Sequence, residues 1–159
     1  MHTFIPQDPS EITSEMRQKA IASLVFLKEK RNGDVKARAY ANGSKQRTYT
    51  KKSDATYTTA CTEAVFLAAF IEAYEERDVT ILNIHGAFLH TETDKDVIMV
   101  LEGPFAELMV QVDPYVYRNY ITTNSKGKPI LYVNMYKELY GMLRSDLMFY
   151  RKLVKDLEE

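Results

Sequence analysis

A cluster of basic residues lies between Lys28 and Lys52. The only acidic residues in this segment are Glu29 and Asp34, so it carries a charge of +7, whereas the rest of the chain carries −8. Concentrated positive charge on an otherwise acidic chain indicates local anion binding. A solvated basic hairpin is the alternative. The nine basic residues are Lys28, Lys30, Arg31, Lys36, Arg38, Lys45, Arg47, Lys51 and Lys52.

A β-hairpin is predicted to position these cations. Strands over 23–30 and 34–42 flank Asn32-Gly33, a dipeptide that favours tight turns because both residues tolerate positive φ. Side chains alternate between the faces of a strand. Lys36, Arg38 and Tyr40 therefore share one face, and the small apolar residues of the return strand share the other. We expect the apolar face to pack and the cationic face to meet phosphate.

The overall composition is that of one ordinary domain. The chain has 159 residues, 45% of them hydrophobic, and no apolar run long enough to span a membrane. Its single cysteine, Cys61, excludes an internal disulfide, and its three scattered histidines offer no metal-binding spacing. We therefore expect an intracellular protein, in the cytoplasm or nucleus, without a membrane partner.

The remaining elements indicate an α+β fold. The helix over 63–77 has apolar residues at helical spacing and is predicted to lie in the core. The strand over 79–85 has apolar residues on both sides, which predicts a strand covered on both faces. Further helices are predicted over 10–22, 104–112 and 138–157, and further strands over 96–101 and 130–135. Their irregular order favours α+β over a repeating βαβ fold.

Four sequence blocks, in the same order, resemble motifs of copia-type retrotransposon reverse transcriptases. The segment Ile81-Leu-Asn-Ile-His-Gly-Ala-Phe-Leu-His90 resembles the Asp-x-x-x-Ala-Phe-Leu motif of that family. Lys36-Ala-Arg38 with Gly43 resembles the fingers motif. Asp96 to Gly103 resembles a strand ending in an acidic-Gly pair, and Leu139-Tyr-Gly-Met-Leu-Arg144 resembles the Leu-Tyr-Gly-Leu block. The resemblance spans residues 23–153.

The resemblance implies a partial right-hand polymerase in a single domain over 1–159, with a fingers hairpin over about 23–60 and an incomplete palm, with some of the fingers, over about 61–159. Such RNA-directed DNA polymerases join nucleotides with two Mg²⁺ ions, and their partners are an RNA or DNA primer-template and a deoxynucleoside triphosphate. The incomplete palm leads us to expect self-association. In the family the polymerase is part of a polyprotein found in virus-like particles.

Individual site residues follow from the matched motifs. Lys36 and Arg38 match the residues that contact the incoming triphosphate. Gly86 and Ala87 would let the nucleotide approach the backbone, and Phe88 matches the aromatic gate beside the sugar, although a core phenylalanine is nearly as good an interpretation. Tyr140, Gly141 and Arg144 are expected to border the same pocket. Nucleic-acid contacts are expected from Lys28, Lys30, Lys45 and Arg47.

The metal ligands of the family are not intact. The position of the first carboxylate is Asn83, and an amide removes a negative charge from a site built for two dications. The other two family carboxylates are adjacent in a Tyr-x-Asp-Asp hairpin, yet none of the nine aspartates here is adjacent to another. Asp94 and Asp96 are interpreted as solvated charge. We therefore expect Mg²⁺ to bind poorly and this chain alone to be catalytically inactive.

Three functional hypotheses remain open at this point. The chain is a reverse transcriptase fragment without catalysis that still binds nucleic acid or nucleotide, one piece of a longer active polyprotein, or a structural remnant without either activity. Asn83 disfavours the second hypothesis, because a supplied Asp-Asp hairpin would still leave the first ligand neutral.

Overall fold

A computed structural model describes residues 2–57 and 59–159, and its centre is a six-stranded mixed sheet. The strand order is β1-β6-β4-β2-β3, and β5 also pairs with β6. Among the strands of the described residues, β2 and β4 pair in parallel and the other pairs are antiparallel. The strands are β1 (Phe4–Pro6), β2 (Ile21–Glu29), β3 (Val35–Asn42), β4 (Ile98–Glu102), β5 (Ile121–Thr123) and β6 (Pro129–Met135).

Five α-helices accompany the sheet in the described residues, which confirms the α+β class. The predicted first helix is much shorter than expected: Thr13 caps it, and it ends before Ile21, which is fully buried as the first residue of β2. The last helix begins at Ser145 and not at residue 138 as predicted; residues 138–144 form a loop. The helices are α1 (Ser14–Lys19), α2 (Thr62–Tyr74), α3 (Pro104–Val112), α4 (Pro114–Tyr117) and α5 (Ser145–Glu158).

The hydrophobic core lies on the central strands β4 and β6. Leu101, Leu131 and Val133 are fully buried there, together with Ile21 at the start of β2. On one side they pack with Ala106 of α3 and with residues of the loop before α5. A smaller cluster, which includes Ile12, Ile98 and Tyr132, lies apart from it. Apolar burial of this kind is the main term that stabilises a domain.

The region between α2 and residue 84 contradicts the predicted core. No residue of α2 is buried, and Phe66 is 71% exposed. The segment 79–85 forms no strand, and Ile81 is 94% exposed. The central strands β4 and β6 already have partners on both sides, and the segment pairs with none of the free edges, which belong to β1, β3 and β5. A strand-forming segment without a sheet position leaves its apolar side chains in water.

The apolar face of the hairpin is also uncovered, contrary to expectation. Val35 is 66% exposed, and Ala37 and Ala39 are exposed as well. Only Ala41, where the hairpin reaches the core, is buried. The hairpin therefore projects beyond the core, since β2 and β4 pair only at Ile21 and Ala22.

Candidate nucleic-acid-binding site

One face of the β2–β3 hairpin carries a cluster of cations. Lys28 pairs with Lys36 across the two strands, and Phe26 pairs with Arg38. Like charges directly opposite each other are destabilising, so an anion bound between them would relieve repulsion. The face forms a cavity of about 480 Å³, and no acidic side chain is among the residues that line it. Those residues are Phe26, Lys28, Lys30, Lys36, Arg38 and Tyr40.

The predicted turn is confirmed and aligns the two strands. Gly33 adopts φ +84°, and the N–H of Lys30 donates to the carbonyl oxygen of Asp34 at 2.7 Å. Asp34 also lies 3.7 Å from the Lys30 ammonium, and its carboxylate accepts a hydrogen bond from Asn32. Lys30 is therefore partly neutralised at the tip, whereas no such ion pair holds Lys28, Lys36 or Arg38 within the described residues.

A second cavity, of about 540 Å³, lies along the free edge of β3. It brings together Lys36, Arg38 and Gly86, three of the residues expected to bind nucleotide, and Tyr140 also lines it. Its volume suits a small organic ligand. Gly86 has φ +62°, a left-handed conformation that glycine adopts without strain. Ala87 does not line this cavity.

Phe88 occupies a packing position next to this cavity. It belongs to a short 3₁₀ turn (Ala87–His90) and is half-buried. Its ring centroid lies 4.5 Å from that of Tyr140 and 6.0 Å from that of Phe149. The expected role beside a sugar stays a prediction, because the ring is held by other aromatic rings and does not line the cavity.

The loop before α5 is anchored to the end of β3. The N–H of Ala41 donates to the carbonyl oxygen of Tyr140 at 2.8 Å, and the N–H of Gly43 donates to that of Gly141 at 3.0 Å. A Cβ at Gly141, where φ is +90°, would collide with the Ala41 carbonyl. The resemblance had already singled out Gly43 and Gly141, but the contact between them could not be read from spacing.

A buried polar group fixes the same loop and was missed by sequence reasoning. Gln46 is buried, and its side-chain oxygen accepts from the N–H of Leu143 at 2.7 Å.

A buried carboxyl group lies at the other end of this loop. Ser145 Oγ lies 2.7 Å from both Glu138 Oε2 and the Leu139 carbonyl oxygen. One hydroxyl hydrogen cannot serve two acceptors. Burial raises the pKa of Glu138, so a protonated carboxyl can donate to Ser145 while Ser145 donates to Leu139.

Arg144 does not line the cavity along the edge of β3. Its guanidinium makes a bidentate ion pair with Asp94, one bond of 2.8 Å joining Nη2 to Oδ2, and its Nε donates to the Asp54 carbonyl oxygen at 3.1 Å. Arg144 instead lines a separate cavity of about 240 Å³. Hydrogen bonding from Arg144 lowers the pKa of Asp94. Asp94 is therefore an ion-pair partner and not, as interpreted from sequence, a freely solvated charge.

Lys45 and Arg47 differ in availability. The Lys45 ammonium donates to the carbonyl oxygen of Ala20 at 3.1 Å, so part of its hydrogen-bonding capacity serves the fold. Arg47 is exposed and lines a third cavity, of about 390 Å³, together with Phe26 and Tyr40. Arg47 thus extends the cationic surface from the hairpin toward the turn that follows it.

The residues that match the family's metal centre do not fit two magnesium ions. Asn83 is exposed and lies in a segment without helix or strand. It offers a neutral amide where Mg²⁺ prefers charged oxygen ligands. Across residues 2–57 and 59–159, no group of three or more His, Cys, Asp or Glu side chains is arranged to hold a metal.

Comparison with known proteins assigns no family to the chain. No protein-family model matches it, and no curated protein or solved structure gives a significant match. The likeness to reverse transcriptases therefore rests on the four sequence blocks. In the described part of the chain, no helix is both long and apolar enough to cross a membrane.

Proposed function

We propose that this chain binds nucleic acid through the cationic face of its β2–β3 hairpin. The observation that carries the proposal is the unopposed alignment of Lys28, Lys36 and Arg38 on one exposed face. Phosphates that bind there release condensed counterions, which is the main sequence-independent source of affinity for nucleic acid. Arg47 lengthens the surface.

The proposal also concerns the evolutionary origin of the chain. The order of the four sequence blocks supports a fragment of a copia-type reverse transcriptase, a fingers hairpin with an incomplete palm. The meeting of Lys36, Arg38 and Gly86 at one cavity supports a nucleotide pocket at the place that the family motifs indicate. A primer-template and a deoxynucleoside triphosphate are the corresponding ligands.

We propose further that this chain does not polymerise. At the position of the first metal ligand, Asn83 lacks the negative charge that two closely spaced dications require. No step of phosphoryl transfer is therefore assigned to its residues. The hairpin and the cavity bind and orient phosphate, which needs positive charge and geometry but no metal.

Fluorescence anisotropy of a labelled RNA–DNA primer-template across a salt series tests the binding proposal. The wild-type protein is expected to bind at micromolar concentration and to weaken steeply with salt. Because each phosphate contact contributes about 0.7–0.9 to the slope of log K against log salt, Lys36→Ala with Arg38→Ala should reduce the slope by about 1.5.

The matched control is Lys126→Ala with Lys128→Ala, which removes the same charge from the β5–β6 turn. β6 is separated from the hairpin by β4 in the sheet. The control should leave the slope unchanged. An equal loss in both double variants would mean that only net charge matters, and an unchanged slope after the hairpin substitutions would locate the binding surface elsewhere.

A further inference from the structure

A row of aromatic rings runs from the cationic hairpin to the turn after Gly86. The ring centroids of Phe26 and Tyr40 are 5.6 Å apart, those of Tyr40 and Tyr140 are 6.1 Å apart, and those of Tyr140 and Phe88 are 4.5 Å apart. Three elements supply these rings: the hairpin, the loop before α5 and the 3₁₀ turn. The row is therefore a product of tertiary structure.

The rings are not all buried by their contacts with one another. Phe26 is 58% exposed in the middle of the cationic face, and Tyr140 is 40% exposed. Each leaves part of its ring accessible, while Tyr40 between them is half-buried. Phe26 therefore contributes little to the core, and its ring is open to a ligand among the cations.

Tyr40 lines all three cavities, two on the cationic face and one along the free edge of β3, so the cavities adjoin one another at this residue. Lys28 and Lys36 lie at one end of this combined groove and Arg47 at the other. The Arg38 guanidinium is 3.4 Å from the Tyr40 hydroxyl, which places a cation directly beside the row. Cations and rings thus lie side by side along the groove that these adjoining cavities form.

We infer that this groove selects single-stranded nucleic acid, whose phosphates meet the cations while its unstacked bases pack on Phe26 and Tyr140. The inference rests on the proposed function and adds its ligand class. Aromatic rings beside a positive groove bind single strands with little sequence preference, because every base has a π face. In a duplex the base faces are already stacked, so only the phosphates remain available.

Three labelled probes of about 12 nucleotides separate stacking from charge: an oligothymidylate, an abasic strand of the same length and charge, and a duplex. The wild-type protein is expected to bind the oligothymidylate about tenfold more tightly than the abasic strand, within the range for stacking of one base. Phe26→Ala should reduce that advantage severalfold without changing affinity for the abasic strand, because Tyr140 still offers a ring, and Phe26→Tyr should preserve it.

Leu27→Ala is the matched control, because Leu27 is 70% exposed on the opposite face of the same strand. Circular dichroism of each variant establishes that it is folded. Equal affinity for the oligothymidylate and the abasic strand would overturn stacking while leaving the phosphate-binding proposal intact. A duplex bound as tightly as the oligothymidylate would overturn single-strand selection, and no salt-sensitive binding of any probe would overturn both proposals.

Discussion

Single residues show that burial and a charged partner shift the pKa of a carboxyl group in opposite directions. Glu138 is almost completely inaccessible and has Ser145 as its close polar partner, so removal from water raises its pKa. Arg144 instead has a carboxylate within reach, and the pair lowers the pKa of Asp94. The hairpin cations remain exposed, which suits groups that must meet an external phosphate.

Glu138→Gln should change the pH dependence of stability. Because the folded pKa of Glu138 is raised above its ordinary value of 4.5, its contribution to stability is fully present below pH 4.5 and is lost as the pH rises through the folded pKa. The glutamine amide can still donate to Ser145, so the variant should avoid this loss. Urea unfolding across a pH series measures the difference.

Asp94→Asn is the control for this experiment, because it acts in the opposite pH window. The lowered pKa of Asp94 contributes stability above its ordinary value of 3.8, and that stability is lost on acidification. Parallel stability curves for wild type and Glu138→Gln at every pH would show that Glu138 is not held neutral by the fold.

At the scale of elements, the key arrangement is the crossing of the loop before α5 over the end of β3. Two backbone hydrogen bonds join them, and a glycine lies at the contact on each side, Gly43 after β3 and Gly141 in the loop. The close approach sets Tyr140 beside Tyr40 and so completes the aromatic row. The site therefore depends on backbone contact as much as on its charged side chains.

Gly141→Ala should destabilise the protein by about 2–4 kcal/mol, from the strain of a left-handed residue together with overpacking against the Ala41 carbonyl. Gly127→Ala is the matched control, since Gly127 also has positive φ but a Cβ there would meet nothing within 4 Å. It should cost about 1–2 kcal/mol. Equal losses in chemical denaturation would mean that the crossing is not tightly packed.

At the scale of the whole molecule, apolar surface is unevenly distributed. The core is concentrated on β4 and β6, whereas α2 and the segment 79–84 expose large side chains. The apolar residues of α2 lie on all its sides, a pattern that usually belongs to a buried helix. Exposed apolar patches and free strand edges, such as that of β3, favour association.

We expect self-association that increases with protein concentration. Phe66→Glu with Phe70→Glu should shift the protein toward monomer, because both rings are largely exposed on α2 and the charges would resist burial. Tyr115→Ser, which removes an isolated exposed ring on α4, should have no effect. Sedimentation velocity measures the change, and a wild-type protein that stays monomeric at all concentrations would contradict this expectation.

Some features of this protein are determined by local sequence. Asn32-Gly33 and the alternation from Val35 to Ala41 predict the hairpin turn and its two faces, because turn conformation and side-chain direction depend only on neighbouring residues. The charge of the segment 28–52 follows from composition alone. These predictions correctly describe the cationic face that supports the proposed function.

Tertiary structure decides what each face meets. Two apolar patterns predicted a buried helix over 63–77 and a covered strand over 79–85, yet both segments are exposed. Burial requires partner elements, and no local pattern can specify those. Arg144 finds Asp94 across 50 positions of sequence, and Tyr140 finds Tyr40 across the contact between its loop and β3. Such pairings arise from chain topology, so only the folded molecule shows that the cations and the rings share one groove.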